Sequence, residues 1–393
     1  MPAAVLAGAV ASGCASTTDG PGTGRAGEAP PPPVPGAVLA NELIEPGEVR
    51  FANLWQVTFG GENAEAYWSY DDRRLSLQVT KRGDWDCDRI FVTRADGTLR
   101  QISNGEGVTT CSFFLPGDRE VLYASTQSGH AACPKRPRPA SGEYVWPIWP
   151  DYDVYVTDLE TGDERPLITG PGYDAEATIS PLGDRIVYTS TASGDLELWT
   201  CDLDGSNRFQ VTDALGYDGG AFFSHAGDEL VFRATAFPED GREAAEERYK
   251  GYLQQWQVRP SRMEIYTIDA DGSNRRQVTD LGGANFAPYF TPDDGRILFS
   301  SNHHSVTDGG AALNFDLFLC DRDGSNLEQV TFFDGGVPGK QFDAFPMFSR
   351  DGRFLVFSSN RCSGKPGDTN VFVAEWLEPP TEEPDAAAPA SEE

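Results

Sequence analysis

One phrase returns along this chain and restricts its fold more than any other feature. "DLDGSNRFQVT", "DADGSNRRQVT" and "DRDGSNLEQVT" each close a longer unit with the same internal order. In the copy from Tyr173 to Asp213, three short apolar, β-rich runs and a closing fourth are separated by "PLGD", "ASGD" and "DGSN". Those separators carry the Gly, Asp, Asn and Pro that tight turns require. The order recurs from "YDGGAFFSHAGDELVFRAT", "NFAPYFTPDDGRILFSSNHH" and "DAFPMFSRDGRFLVFSSNR", with weaker copies at "NAEAYWSYDDRRLSLQVT" and "TTCSFFLPGDREVLYAST". Six units of this kind cannot bury their faces alone and must pack against one another.

The closing phrases fall at Thr58, Ser103, Thr169, Thr212, Thr279 and Thr331, so the first precedes any complete copy. The last copy, conversely, stops after its third run, "NVFVAEW". A ring of four-stranded sheets stays shut best when one sheet is built from both chain ends. The expected fold is therefore all-β: a six-bladed propeller over residues 51–377, with "NLWQVT" as the outer strand of the sixth blade. Residues 1–14 read as a signal segment, 15–50 as a Pro- and Gly-rich disordered tether and 378–393 as an acidic disordered tail.

The phrases "S-P-x-G-D-x-I-V-Y-x-S" and "D-x-D-G-S-N-x-x-Q-V-T" resemble the WD-repeat-like propeller units of the TolB family, over roughly Asn53 to Trp376. The resemblance implies a propeller that binds other molecules. Where TolB has an N-terminal α/β domain this sequence has the tether, so that domain's docking roles are not carried over.

The opening "MPAAVLAGAVASGC" resembles the end of a bacterial lipoprotein signal, with Cys14 as the lipid-bearing residue. Export follows from that reading; the alternative is an uncleaved N-terminus. A formal charge of −30 disfavours nucleic acid, whose phosphates need Lys and Arg, and favours an envelope protein or a basic peptide as partner. A monomer is expected.

The second and fourth copies carry insertions between their second and third strands. "HAACPKRPRPASGEYVWPIWPDYD" is rich in Pro and Trp, and "FPEDGREAAEERYKGYLQQWQVRPSR" has helix formers from Glu243 to Trp256. In a propeller both belong to one face, with "SNHHSVTDGG" beside them.

Aligned copies place Asn63, Thr109, Asp174, Asp218, Asn285 and Asp343 at one position of the inner strand, with Glu65 and Glu176 two residues further in. These form an expected ring at the channel mouth, suited to a divalent cation, ammonium or guanidinium group; alternatively each bonds its own turn. His303 and His304, with Arg361 at the same place in the sixth copy, are rim candidates, and Asp308 could complete a metal shell. The "DGSN" loops are hairpin turns, because the Gly comes too early for an EF-hand. No G-x-S-x-G occurs, and no nucleophile is assigned.

Cys201 and Cys320 occupy equivalent third-strand positions two copies apart and read as buried thiols. Cys87, Cys111, Cys133 and Cys362 map near one another, and one bridge is expected among them, with Cys111 to Cys87 or to Cys133 as the leading choices. The function expected is that of an exported, non-catalytic scaffold with no resident cofactor. A metal-dependent enzyme and a small-ligand sensor are the alternatives, each with its site at the channel mouth.

Overall fold

Each repeat forms an antiparallel sheet whose strands run outward from a common axis, and six such sheets close the ring. The computed structural model describes residues 30–378 apart from 82, 138–142, 261, 306–313 and 334–340. Cys14, Asp308 and the tail from residue 379 lie outside the described residues. Blade one comprises Glu62–Trp68, Leu75–Lys81, Trp85–Thr93 and Leu99–Gln101. Blades two to five begin at Thr109–Phe114, Asp174–Ile179, Gly219–Phe223 and Asn285–Phe290. Blade six is built from Asp343–Phe348, Phe354–Ser359 and Asn370–Trp376, and its next strand is Phe51–Gln56 from the other end of the chain.

That strand pairs antiparallel with Asn370–Trp376, Leu54 opposite Ala374 and Trp55 opposite Val373. The expected closure is therefore present. The recurrent "QVT" has a local reason. Outer strands in blades three to five are short, with two backbone pairs each. Side chains extend them: the Gln amide donates to the carbonyl of the Thr two residues on, in Gln56, Gln210, Gln277 and Gln329. The Thr hydroxyl accepts from a third-strand N–H, Val371 to Thr58 at 2.9 Å and Ile265 to Thr279 at 2.8 Å. Such side-chain bonds satisfy backbone groups that a two-residue ladder leaves open.

The tether reading needs correction from Pro30 onward. Val38–Leu39 adds a fifth strand to blade six, and a short 3-10 turn follows at Asn41–Leu43. Glu48 then enters the protein at 2% exposure and receives Arg361, itself fully buried, at 3.0 and 2.8 Å. Arg361 also donates to Asp343 at 3.0 Å and to the carbonyl of Leu43. Arg50 forks onto Glu328 of blade five at 2.8 and 2.7 Å and lies over the Trp376 ring. A Pro-rich segment with no hydrophobic period looks unstructured in sequence; in the fold two Arg–Glu pairs and the sheet edge hold it.

At the end of the ring away from the inserts, neighbouring turns are coupled by a simple rule. Asp72, Asp118 and Asp294 each accept two N–H bonds from the turn of the preceding blade: from Arg350 and Asp351, Tyr70 and Asp71, and His225 and Ala226. Where the preceding turn begins with Pro116, Pro181 or Pro292 there is no N–H to accept. The following turn then has Gly183, Gly227 or Gly352 instead of Asp, and Gly183 and Gly352 pack directly on Pro116 and Pro292.

Arg361 gives a test by magnitude. Removing one partner of a buried ion pair strands the other charge, so R361A should cost about 3–5 kcal/mol. R119A, which breaks a pair that is more than half exposed on the arginine side, should leave stability nearly unchanged. Urea unfolding of both variants measures the difference; equal costs would contradict the anchoring role of Glu48–Arg361.

Candidate functional site

Every inner strand carries a register shift at the same place: after Ala64, Thr110, Ala175, Gly219, Phe286 and Ala344. The residue just inside each shift, Glu65, Cys111, Glu176, Gly220, Ala287 or Phe345, has φ between 49° and 59°. Such a bulge leaves one residue out of the ladder and re-aims it. These six residues form a ring around the axis. The Glu65 carboxylate accepts the Cys111 N–H of the next blade at 3.0 Å, and Glu176 accepts the Gly220 N–H of the next blade at 3.0 Å.

The ring is chemically divided. On blades three and four, Arg233 meets Glu176 at 2.5 Å, and Tyr217 and Thr189 both donate to the same carboxylate at 2.8 Å. Burial alone would push Glu176 upward, but Arg233 and these donors hold it below its ordinary range. Among the described residues no arginine or lysine pairs with Glu65: burial, with Glu176 and Asp88 nearby, pushes it up to about 7 despite the bonds from Cys111. Burial and the two glutamates raise the Cys111 thiol well above its usual value, the opposite of a reactive thiolate. Gly220 is explained by Arg233, since a Cβ there would run into the guanidinium. On blades five and six the ring is apolar, with Phe286 against Phe315 and Phe345 at 5.2 and 5.7 Å.

The inserts close this end. Trp146–Pro147 of the first pairs with Gln257–Val258 of the second, so the two loops make a joint two-stranded platform. The helix expected over Glu243 to Trp256 is present at Arg242–Leu253, and its buried Tyr249 donates to Asp195 of blade three at 2.5 Å. Trp146 packs over the Arg233 guanidinium at 5.3 Å, edge-on to Tyr217, and against the cluster holding Met263, Phe286 and Ala344. Further along the axis Tyr67, Phe113, Phe222 and Tyr289 from four blades pack ring on ring, which separates the two ends of the channel.

The expected ring at the channel mouth takes another form. Asn63, Thr109, Asp174, Asp218, Asn285 and Asp343 are all buried, and among the described residues none bonds another. Asn63 donates to Gly60 and Thr369, Thr109 to the Asp88 carbonyl, and Asn285 to Met263, Glu264 and Gly282. Asp218 is taken by both terminal nitrogens of Arg275, Asp343 by Arg361 and Asp174 by Ser190. Alignment gives a residue's place in the blade and not its partner. These positions serve the seam between blades, while Glu65 and Glu176, two residues inward, do reach the axis.

The rim readings also change. Arg361 is buried beneath the N-terminal segment. His303 shares a bond with Ser301 at 2.9 Å, while His304 turns to Asp316 at 3.0 Å, so the two imidazoles do not converge on one point. Among the described residues no three His, Cys, Asp or Glu side chains come together as a metal would need. Cys87 is bridged to Cys133, which staples the first insert to blade one. Cys111, expected as a partner, is instead a free thiol in the channel, and Cys201 and Cys320 are buried free thiols. The central residues that sequence reading missed are Arg233 and Tyr217. Arg233 had a signal: in the other five second strands its position holds Gln78, Ala124, Thr189, Ser300 and Ser358.

Glu197, against Thr212 and near Asp218 and Asp195, is likewise pushed up by burial, to about 8. Glu65 and Glu197 thus bind protons more tightly in the folded chain than in the unfolded one. Their contribution is full at low pH and is lost as pH rises from the ordinary carboxyl range through about 8. The melting temperature should fall between pH 5.5 and 8.5, and E65Q/E197Q should flatten that fall; a wild-type protein more stable at pH 8.5 contradicts the assignment.

No protein-family model matches the chain, nor does any curated protein sequence. Among solved structures it is similar to a protein assigned as TolB from Agrobacterium tumefaciens, at 17% identity and a TM-score of 0.49 over 81% of this chain and 91% of that one. TolB from Acinetobacter baumannii matches at 16% and 0.47, over 80% of this chain and 64% of that chain, under two thirds of its length. An oligogalacturonate lyase from Vibrio parahaemolyticus matches at 10% and 0.47, over 86% of this chain and 96% of that one. The chain's own strand pairing establishes a six-bladed β-propeller.

Proposed function

We propose that the protein is an exported binding scaffold of the cell envelope whose protein partner docks on the platform made by the two inserts. The observation that carries this reading is the pairing of Trp146–Pro147 with Gln257–Val258, which turns two loops into one supported surface. Its underside is a packed cluster of Ile148, Tyr152, Tyr173, Tyr217, Tyr249 and Val258, and the Cys87–Cys133 bridge fixes one edge. Function in a propeller lies in what its loops supply. In this chain the loops supply shape and aromatic surface, and they cover the ionisable groups of the channel.

Tyr144 at 69% and Trp256 at 39% are the large hydrophobic side chains these inserts leave exposed among the described residues. Tyr and Trp are the residues that most often anchor protein interfaces. An overall charge of −30 steers a basic partner surface toward them. Export and a lipid on Cys14 rest on the N-terminal sequence, and they would place the platform in the envelope.

The test is site-specific photo-crosslinking in cells, with the photoreactive residue at position 144, at 256, or at Leu182, which is 62% exposed on the turn face. A discrete adduct of the same size from 144 and 256, absent from 182, is the expected result. Adducts from 182 alone, or none from either insert position, would remove the platform as the docking face.

A further inference from the structure

The end of the axis opposite the inserts holds a cavity of about 210 Å³ among the first turns of the blades. Its walls include Trp68, Tyr70, Phe113, Phe222, Tyr289 and Arg350. Three turns without proline, those of Tyr70, His225 and Arg350, supply side chains to it. The Asp residues that receive these turns' N–H groups hold them in place.

One polar group there is incompletely used. The Arg350 guanidinium lies 4.1 Å from the Tyr70 ring centre and donates to the Pro181 carbonyl across the opening. Among the described residues no carboxylate side chain pairs with it, although its five N–H donors and full charge favour one. His225, edge-on to Tyr289, has Nδ1 committed to Asp294 at 2.9 Å.

We propose that this cavity binds a small monocarboxylate with an apolar, single-ring body. The rings of Phe113, Phe222 and Tyr289 receive the body, and Arg350 receives the carboxylate. The volume lies below the roughly 300 Å³ at which sites for drug-sized ligands begin, which limits the body to about one ring. A single negative charge is favoured over a phosphate, because Asp72, Asp118 and Asp294 stand in the same circle of turns and repel further charge. This site is independent of the platform: it lies at the other end of the axis, beyond the stacked rings of Tyr67, Phe113, Phe222 and Tyr289.

Saturation-transfer NMR and calorimetry on the full chain at pH 7 test it, with phenylacetate, phenylacetamide and phenethylamine as probes. Phenylacetate should bind saturably, the amide at least tenfold more weakly and the amine not at all. R350Q should weaken phenylacetate at least tenfold. If R350Q does not fold, the comparison of acid, amide and amine on the wild type decides. Absence of saturable phenylacetate binding at millimolar concentration overturns the proposal. So does binding of the amide or amine as tight as that of the acid, or phenylacetate affinity unchanged in folded R350Q.

Discussion

The ring depends on one long-range pairing. Phe51–Gln56 and Asn370–Trp376 come from opposite ends of the propeller sequence, and their ladder converts an open row of sheets into a closed circle. Without it blade six would expose an unpaired edge of the kind that invites aggregation. The chain reinforces this seam more than a sheet ladder alone would: Arg361 is buried between Glu48 and Asp343, and Arg50 joins the N-terminal segment to blade five. An ion pair with no exposure is a poor source of net stability, but it is intolerant of being broken. It therefore fixes register where the chain has to find a partner across the whole fold.

Closure leaves two ends with different chemistry. At one, bulges turn Glu65, Cys111 and Glu176 toward the axis, Arg233 neutralises one glutamate, and the paired inserts cover the group. At the other, three turns carry an Asp bonded to a preceding N–H and three a Gly that follows a Pro turn, and the non-proline turns supply Tyr70, His225 and Arg350. Stacked rings divide the two. The unequal surroundings of Glu65 and Glu176 show how little separates them: both are desolvated at equivalent positions, and the presence of Arg233 beside one accounts for the opposite directions of their shifts.

Repetition makes the architecture legible. Six copies of a strand–turn order, with a closing phrase out of phase, contain the blade number, the seam and the face that carries the inserts. Side-chain partners are less legible, for physical reasons that can be named. Asp218 and Asp343 look like ring ligands because alignment places them together, yet each is consumed by an arginine, Arg275 and Arg361, distant in sequence. Cys111 is the leading disulfide candidate by proximity, but the bulge turns it into the channel while Cys87 meets Cys133. Glu48 lies in a segment without periodicity, and only its burial against Arg361 reveals its use. The turn rule could have been read directly, since each of the three Pro turns is followed in the next blade by Gly and each of the others by Asp.

Native-state hydrogen exchange across the seam tests ring closure most directly. If the ring is closed by its N-terminal strand, the amides of Phe51–Gln56 and Asn370–Trp376 exchange together, with the protection of the inner strands of the other blades, and lose it only in global unfolding. If instead Phe51–Gln56 exchanges early and alone while Asn370–Trp376 stays protected, the chain ends do not hold the ring, and its closure must come from the contacts between blades.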